Sequence, residues 1–385
     1  IFLAESSNSS KLVPNSFMLK IFRQISVLFL LSLMALVRPV LAQAQTILEA
    51  EVVEVVASGQ ESFQDELVPF QEVKVEFVTG ERKNETKIIK NSAAGLGLVD
   101  VRYQEYQVGD QVKVSLAPNS DQASLDGHVK RHGLLQLCLL FLLVVLVVGR
   151  KWGFFSLLGL VVSFLVIFKL IIPLIIQGWD PVLAASLGSL IIIPGTFYLA
   201  HGFNQKTHVA VGVTVFSLVL TGLLATHFVE AVHLTGFASE EAGFLQVQRQ
   251  GTIDIRGLLL AGIIIGTLGI LDDVTVGQAS TVKQLATANP DFGFKDLVFK
   301  GMKVGQDHIS SMVNTLVLVY SGSALPLLLL FFDSDKGLID ILEFELIAEE
   351  IVRMLVGSIG LVLAAPLATI LAAYLYQQKG GQHHE

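Results

Sequence analysis

From residue 133 onward the chain alternates long apolar runs with short polar connectors. The runs cover about 133–149, 152–176, 181–200, 208–230, 256–273, 307–332 and 351–376. Each approaches the ~20 residues a helix needs to cross a bilayer core. Residues 45–130 follow another rhythm. "ILEAEVVEVV", "QEVKVEFVTG", "ETKIIKN" and "QVKVSLAP" alternate apolar with polar positions or are rich in Val and Ile, between turns of Gly, Asn and Pro. The pattern predicts an α-helical polytopic membrane protein of about seven spans. A small extracytoplasmic β domain, a barrel or a sandwich of about five strands, precedes the spans.

Charge orients the spans. With the β domain outside, Arg150, Lys151, Lys206, Lys283, Lys295, Lys300, Lys303 and the tail residue Lys379 all fall on the inner side, as the positive-inside rule requires. The outer connectors "GWDP", "SEEAG" and "DSDKGLIDILEFELIAEE" are acidic. The last of these, 333–350, reads as a short interfacial helix or as a solvated loop. Upstream, Lys20 and Arg23 precede the apolar core "ISVLFLLSLMALV" and the small-x-small site Ala42-Gln43-Ala44, the layout of a signal peptide that is either cleaved or retained as an anchor. Met18 is a candidate start. The expected division is 1–44 leader, 45–130 β-rich domain, 131–376 membrane domain and 377–385 cytoplasmic tail.

Composition narrows the chemistry. The chain is 52% hydrophobic and 16% charged, against about 25% charged in an ordinary soluble domain. A net charge of −8 argues against nucleic-acid binding, which calls for a basic face. The single cysteine, Cys138, lies in an apolar run and reads as a small hydrophobe. No phosphate loop, dinucleotide fingerprint, nucleophile elbow or HExxH occurs, so neither an enzyme nor a cofactor is expected. His227, Glu230 and His233 close the fourth span, but their spacing turns the two histidines about 120° apart, unlike an i, i+4 zinc pair.

The acids of "GILDDVTVGQAST" are the chemical feature of the chain. Gly262, Gly266, Gly269, Asp273, Gly277, Ser280 and Gln284 follow at steps of three or four and form one stripe on a continuous helix. Glycines in a spanning helix admit a neighbouring backbone, so this stripe is expected to face protein and to carry Asp273 with it. Asp272 is turned about 100° away, beside Thr275 and Ala279. The bland alternative makes both acids the solvated inner boundary of the span, with 274–289 a cytoplasmic helix or a re-entrant segment. On the sixth span Asp307, Ser311, Asn314, Leu318 and Ser321 share a face, and Pro326 should bend the outer end. Gly357, Gly360, Ala364, Ala368 and Ala372 on the seventh are spaced for tight helix packing.

The segments "GTLGILDDVTVGQASTVKQLATANP" and "KVGQDHISSMVNTLVLVYSGSALPLLLLF" resemble the YibE/F family of bacterial membrane proteins. The resemblance implies a multispanning inner-membrane protein with an extracytoplasmic β-rich region. It singles out Asp272, Asp273, Gln278, Ser280, Asp307, His308, Asn314, Thr315, Tyr320 and Gly322 as motif positions without assigning them roles. The functional expectation is a permease for a proton, a cation or a small polar solute. Its polar path would run around Asp273, with Asp272, Gln278 and Ser280, and would face Asn314 and Ser321. A carboxylate desolvated between helices can trade a proton for a solute. The alternative is a non-transporting scaffold or sensor whose outer β domain binds a cell-envelope protein.

Overall fold

A computed structural model describes residues 46–63, 66–80, 82–94, 103–116, 123–332 and 337–380. The leader, 1–44, lies outside the described residues. The chain divides into two compact units, one holding the β strands and one holding most of the helices.

The first unit is one antiparallel sheet of five strands in the order β3-β2-β1-β4-β5: β1 (Thr46–Phe63), β2 (Glu66–Phe77), β3 (Thr86–Ser92), β4 (Gln111–Leu116) and β5 (Ala123–His128). Strand β1 pairs β4 over Thr46–Glu51 and β2 over Ala50–Phe63, with register shifts at Val52/Glu54 and Val55/Ala57. Irregularities of this kind bend a strand and strengthen its twist. Alternate positions then converge: Leu48, Ala50, Val52, Val73, Val75, Phe77, Val112 and Val114 form the core. Gln71 pins the loop before β4, donating from Nε2 to the Tyr106 carbonyl and accepting from the Tyr106 amide, both at 2.9 Å. Glu61 on β1 accepts from Lys90 and from Ser92 Oγ on β3. The Lys90 hydrogen bond, then that from Ser92, holds its carboxyl below the usual carboxylate range.

The second unit is helical. Helix α1 (Arg131–Val166) runs through a π turn (Ile167–Ile171) into α2 (Ile172–Ile176). Pro173 donates no amide hydrogen, and its ring would collide with the carbonyl four residues back. The widened turn just before it absorbs that conflict. Within α1 the backbone breaks at Arg150 (φ 49, ψ −127), in the polar connector between two apolar runs. Next come α3 (Pro181–His201), α4 (Gln205–Ala231) and a short α5 (Glu240–Gln248). Asp180, Asn204 and Ser239 cap them, accepting from the amides of Leu183, Thr207 and Ala242. The remaining helices are α6 (Ile255–Ala288), α7 (Phe294–Ser323), α8 (Leu325–Phe332), α9 (Leu338–Leu342) and α10 (Glu345–Gly380).

Five of these helical stretches are long and apolar enough to cross a membrane, and six if α7 and α8, bent by 66° at their junction, count as one. The bend falls just before Pro326, where the sequence predicts it. Two expectations change. The fifth apolar run does not end at Asp273. Helix α6 continues without interruption to Ala288, and Val274, Thr275, Val276, Gln278, Ala279 and Val282 are buried, so 274–288 is a packed continuation of the same helix. In the connector 333–350, Leu338–Leu342 is helical and Glu345 already begins α10.

Candidate functional site

Helix α6 is the hub of the helical unit and packs against α3, α4, α7 and α10. Its packed side carries large apolar groups with Thr267, Thr275 and Gln278 among them. Each polar group is satisfied locally or across a helix interface. Thr275 Oγ1 donates to the Leu271 carbonyl at 2.9 Å, so Thr214 on α4 must donate to Thr275 across their 2.8 Å contact. Gln278 Nε2 donates to the Gly301 carbonyl on α7 (3.1 Å) and to Thr369 Oγ1 on α10 (2.9 Å). Small residues permit these approaches. A Cβ at Gly305 would collide with the Gln278 amide, and one at Gly360 with the Thr221 hydroxyl. Ala364, Ala368 and Ala372 are fully buried, so the small-residue face read on the last span is a packing face.

The glycine stripe on α6 is not. Around Gly262, Gly266, Gly269 and Gly277 a Cβ would meet nothing within 4 Å, and Asp273 on the same stripe is exposed. The expectation that this stripe packs closely against a neighbouring helix is therefore corrected, although Gly269 borders a cavity and Ser280 meets Lys206 of α4. The neighbouring helices take the other side, where larger side chains offer more contact area. Nor do the paired polar faces meet. Helix α7 packs through Leu297, Gly301, Gly305 and Leu316, which places Asp307, Asn314 and Ser321 on its opposite, exposed side. Asp273 and Asn314 do not share a site.

Asp272 is in a different position. It is half-buried and lines a cavity of about 210 Å³ with Ser156, Gly159 and Ser163 of α1, Thr196 of α3 and Gly269 of α6. Gly159 stands beside Thr196, whose nearest atoms lie 3.6 Å from where a Cβ on the glycine would be, an ordinary van der Waals distance. Two lining hydroxyls spend their protons on their own helices: Ser163 Oγ donates to the Gly159 carbonyl (3.2 Å) and Thr196 Oγ1 to the Ile192 carbonyl (2.8 Å). They turn lone pairs to the cavity. Leu160, Ile192, Phe197, Ala200 and Leu268 complete a lining that is mostly apolar, and among the described residues no ion pair reaches the Asp272 carboxylate.

Of the remaining positions, Ser280 accepts from Lys206 Nζ at 3.2 Å. Asp307, His308 and Thr315 are exposed, and Thr315 Oγ1 donates to the Ser311 carbonyl at 2.9 Å. Tyr320 is partly buried against the helical core. His233 lies beyond the end of α4 in a left-handed conformation (φ 58), so His227 and His233 are not on one helix. The sequence reading missed Ser156, Ser163 and Thr196. Ser156, Gly159 and Ser163 do stand at steps of three and four, and that was the available signal.

The family described as YibE/F-like protein matches residues 137–378. The match takes in more than half of the chain, nearly all of its helices and both acids, and the chain belongs to this family. The β sheet lies outside the matched residues. Comparison with curated proteins and with solved structures gives no match.

Proposed function

We propose that the protein is an integral permease of the bacterial cytoplasmic membrane, and that it binds a cation, a proton included, at Asp272 rather than at Asp273. The observation that carries this reading is the cavity of about 210 Å³ at Asp272. A carboxylate and two hydroxyls with committed protons supply negative charge and lone pairs, which suits a cation better than an anion. Ionisable groups inside spanning helices are costly and mark ion pathways.

The membrane reading rests on the apolar helices. Arg131–Ile176 is 46 residues long, about 69 Å as a continuous helix against a ~30 Å core. Taken as two spans divided at Arg150, with the bent pair as one, the helices give seven. This supports the β sheet outside and the carboxyl terminus inside. Asp272, Ser156 and Thr196 then lie in the inner half of their spans, where a cytoplasmic cation can reach them. The reading is non-enzymatic.

The test is flux in reconstituted proteoliposomes, with sodium and proton gradients applied separately. Wild type should carry one of these cations, Asp272→Asn should abolish the flux, and Asp273→Asn should keep most of it. Equal loss in both variants, or no flux in wild type, would contradict the proposal.

A further inference from the structure

Helix α7 is built the wrong way round for a lone spanning helix. Its packed side, with Gly301, Gly305 and Leu316, rests on α6 and α10. Directly opposite, Lys303, Asp307, Ser310, Ser311, Asn314 and Ser321 are all exposed. From residue 303 to 321 this polar stripe runs about 27 Å along the helix, close to the thickness of a bilayer core. Facing lipid, its part inside the span, from Ser310 to Ser321, would strand an amide and three hydroxyls where no water can satisfy them. Within the chain, Thr214, Thr275, Gln278 and Thr369 are already engaged with one another in the packed interior, and Ser189, Ser217 and Ser358 are buried away from the exposed stripe.

We infer that this stripe is a self-association surface, covered by the same stripe of a second copy of the chain. The inference rests on the membrane reading above, but not on Asp272. The stripe is self-complementary. Serine and asparagine side chains both donate and accept, and the stripe's cation and anion stand one turn apart. A twofold axis along the membrane normal brings equal depths together. It sets Asn314 beside the partner's Asn314, and Lys303 within reach of the partner's Asp307. The small residues Ser310, Ser311, Ser321 and Gly322 let two backbones approach closely, as interhelical hydrogen bonds in lipid require.

The experiment uses the full chain in bacterial membrane vesicles. Cys138, the only cysteine, is replaced by serine. Ser310→Cys, Asn314→Cys and, as a control on the exposed apolar side of α4, Val219→Cys are then introduced one at a time. Each variant is oxidised with copper phenanthroline, and in parallel treated with a membrane-impermeant maleimide in opened vesicles. Covalent dimers are expected at 310 and 314 and not at 219, with 219 unlabelled. In mild detergent, Asn314→Leu should weaken the dimer about tenfold. Absence of dimers at both 310 and 314 overturns the inference. Maleimide labelling there, without dimers, would mean that the stripe lines a water path in a single copy. Labelling at 219 as well would mean that the membrane reading itself has failed.

Discussion

Helices α6 and α7 are alike in length, 34 and 30 residues, and both set hydroxyl and amide groups in apolar sequence, yet they place them oppositely. Helix α6 turns Thr267, Thr275 and Gln278 into the packed interior and leaves its glycines open. Helix α7 packs through glycines and leaves Ser310, Asn314 and Ser321 exposed. The difference follows from position. A hub helix meets neighbours on several sides, so its polar groups find partners on α4, α7 and α10. A peripheral helix meets neighbours on one side only. The small residues that let it approach occupy that side, and its polar groups are left for whatever covers the other. Glycine in a spanning segment therefore marks close approach only where a helix stands opposite it.

The sharpest way to break this contrast is to fill the glycines. Gly305→Leu places bulk where even a Cβ would strike the Gln278 amide. Overpacking of this kind costs roughly 1–3 kcal/mol or more, and the variant should lose much of its thermal stability in detergent. Gly266→Ala, in open space on α6, should instead leave stability unchanged or raise it by up to ~1 kcal/mol through helix propensity. Equal destabilisation by the two would show that the α6 stripe is a packing face after all.

The polar groups sharpen the contrast at the next scale. Gln278→Leu removes the donor shared by the Gly301 carbonyl and Thr369 Oγ1. Stranding those acceptors should cost about 1–3 kcal/mol. Asn314→Leu, with no such partners, should change monomer stability by no more than about 0.5 kcal/mol. The same thermal series, run at a protein concentration low enough to hold the monomer, reads both.

The smallest effect belongs to the sheet. The Glu61 carboxyl is held below its ordinary range by the Lys90 and Ser92 hydrogen bonds. Its contribution is therefore present above the unfolded carboxylate range and is lost as pH falls through the lowered folded value. Thermal melts of wild type and Glu61→Gln should differ near neutral pH and converge in acid. A constant gap down to the lowest pH would contradict that assignment.

Much of the architecture was legible in the sequence because its signals are local. Apolar runs and the alternation of "QEVKVEF" act within a few residues. Pro326 likewise announces the bend at the end of α7. The continuation of α6 past Asp273 was not legible. Once apolarity fades, nothing in "VTVGQASTVKQL" distinguishes a helix buried by neighbours from one in water. Which of the two acids borders a cavity was not legible for a related reason. Helix α6 is apolar on nearly every side, so the period of its hydrophobic residues does not say which side packs. The glycines suggested the wrong one. Ser156 and Thr196, which share a cavity with Asp272, are brought there by long-range packing that no single segment encodes.

The central claim is that Asp272, not its neighbour, is the acid that meets a ligand, and ligand-dependent thermal unfolding tests it most directly. Wild type, Asp272→Asn and Asp273→Asn would be heated in detergent with sodium, potassium or choline chloride at fixed ionic strength, across a range of pH. A cation that binds only the folded state adds about 2.7 kcal/mol at a hundredfold excess over Kd. The expected result is a cation- or proton-dependent rise in the unfolding temperature in wild type and Asp273→Asn that disappears in Asp272→Asn. A rise that survives in Asp272→Asn, or one that is lost only in Asp273→Asn, would contradict it.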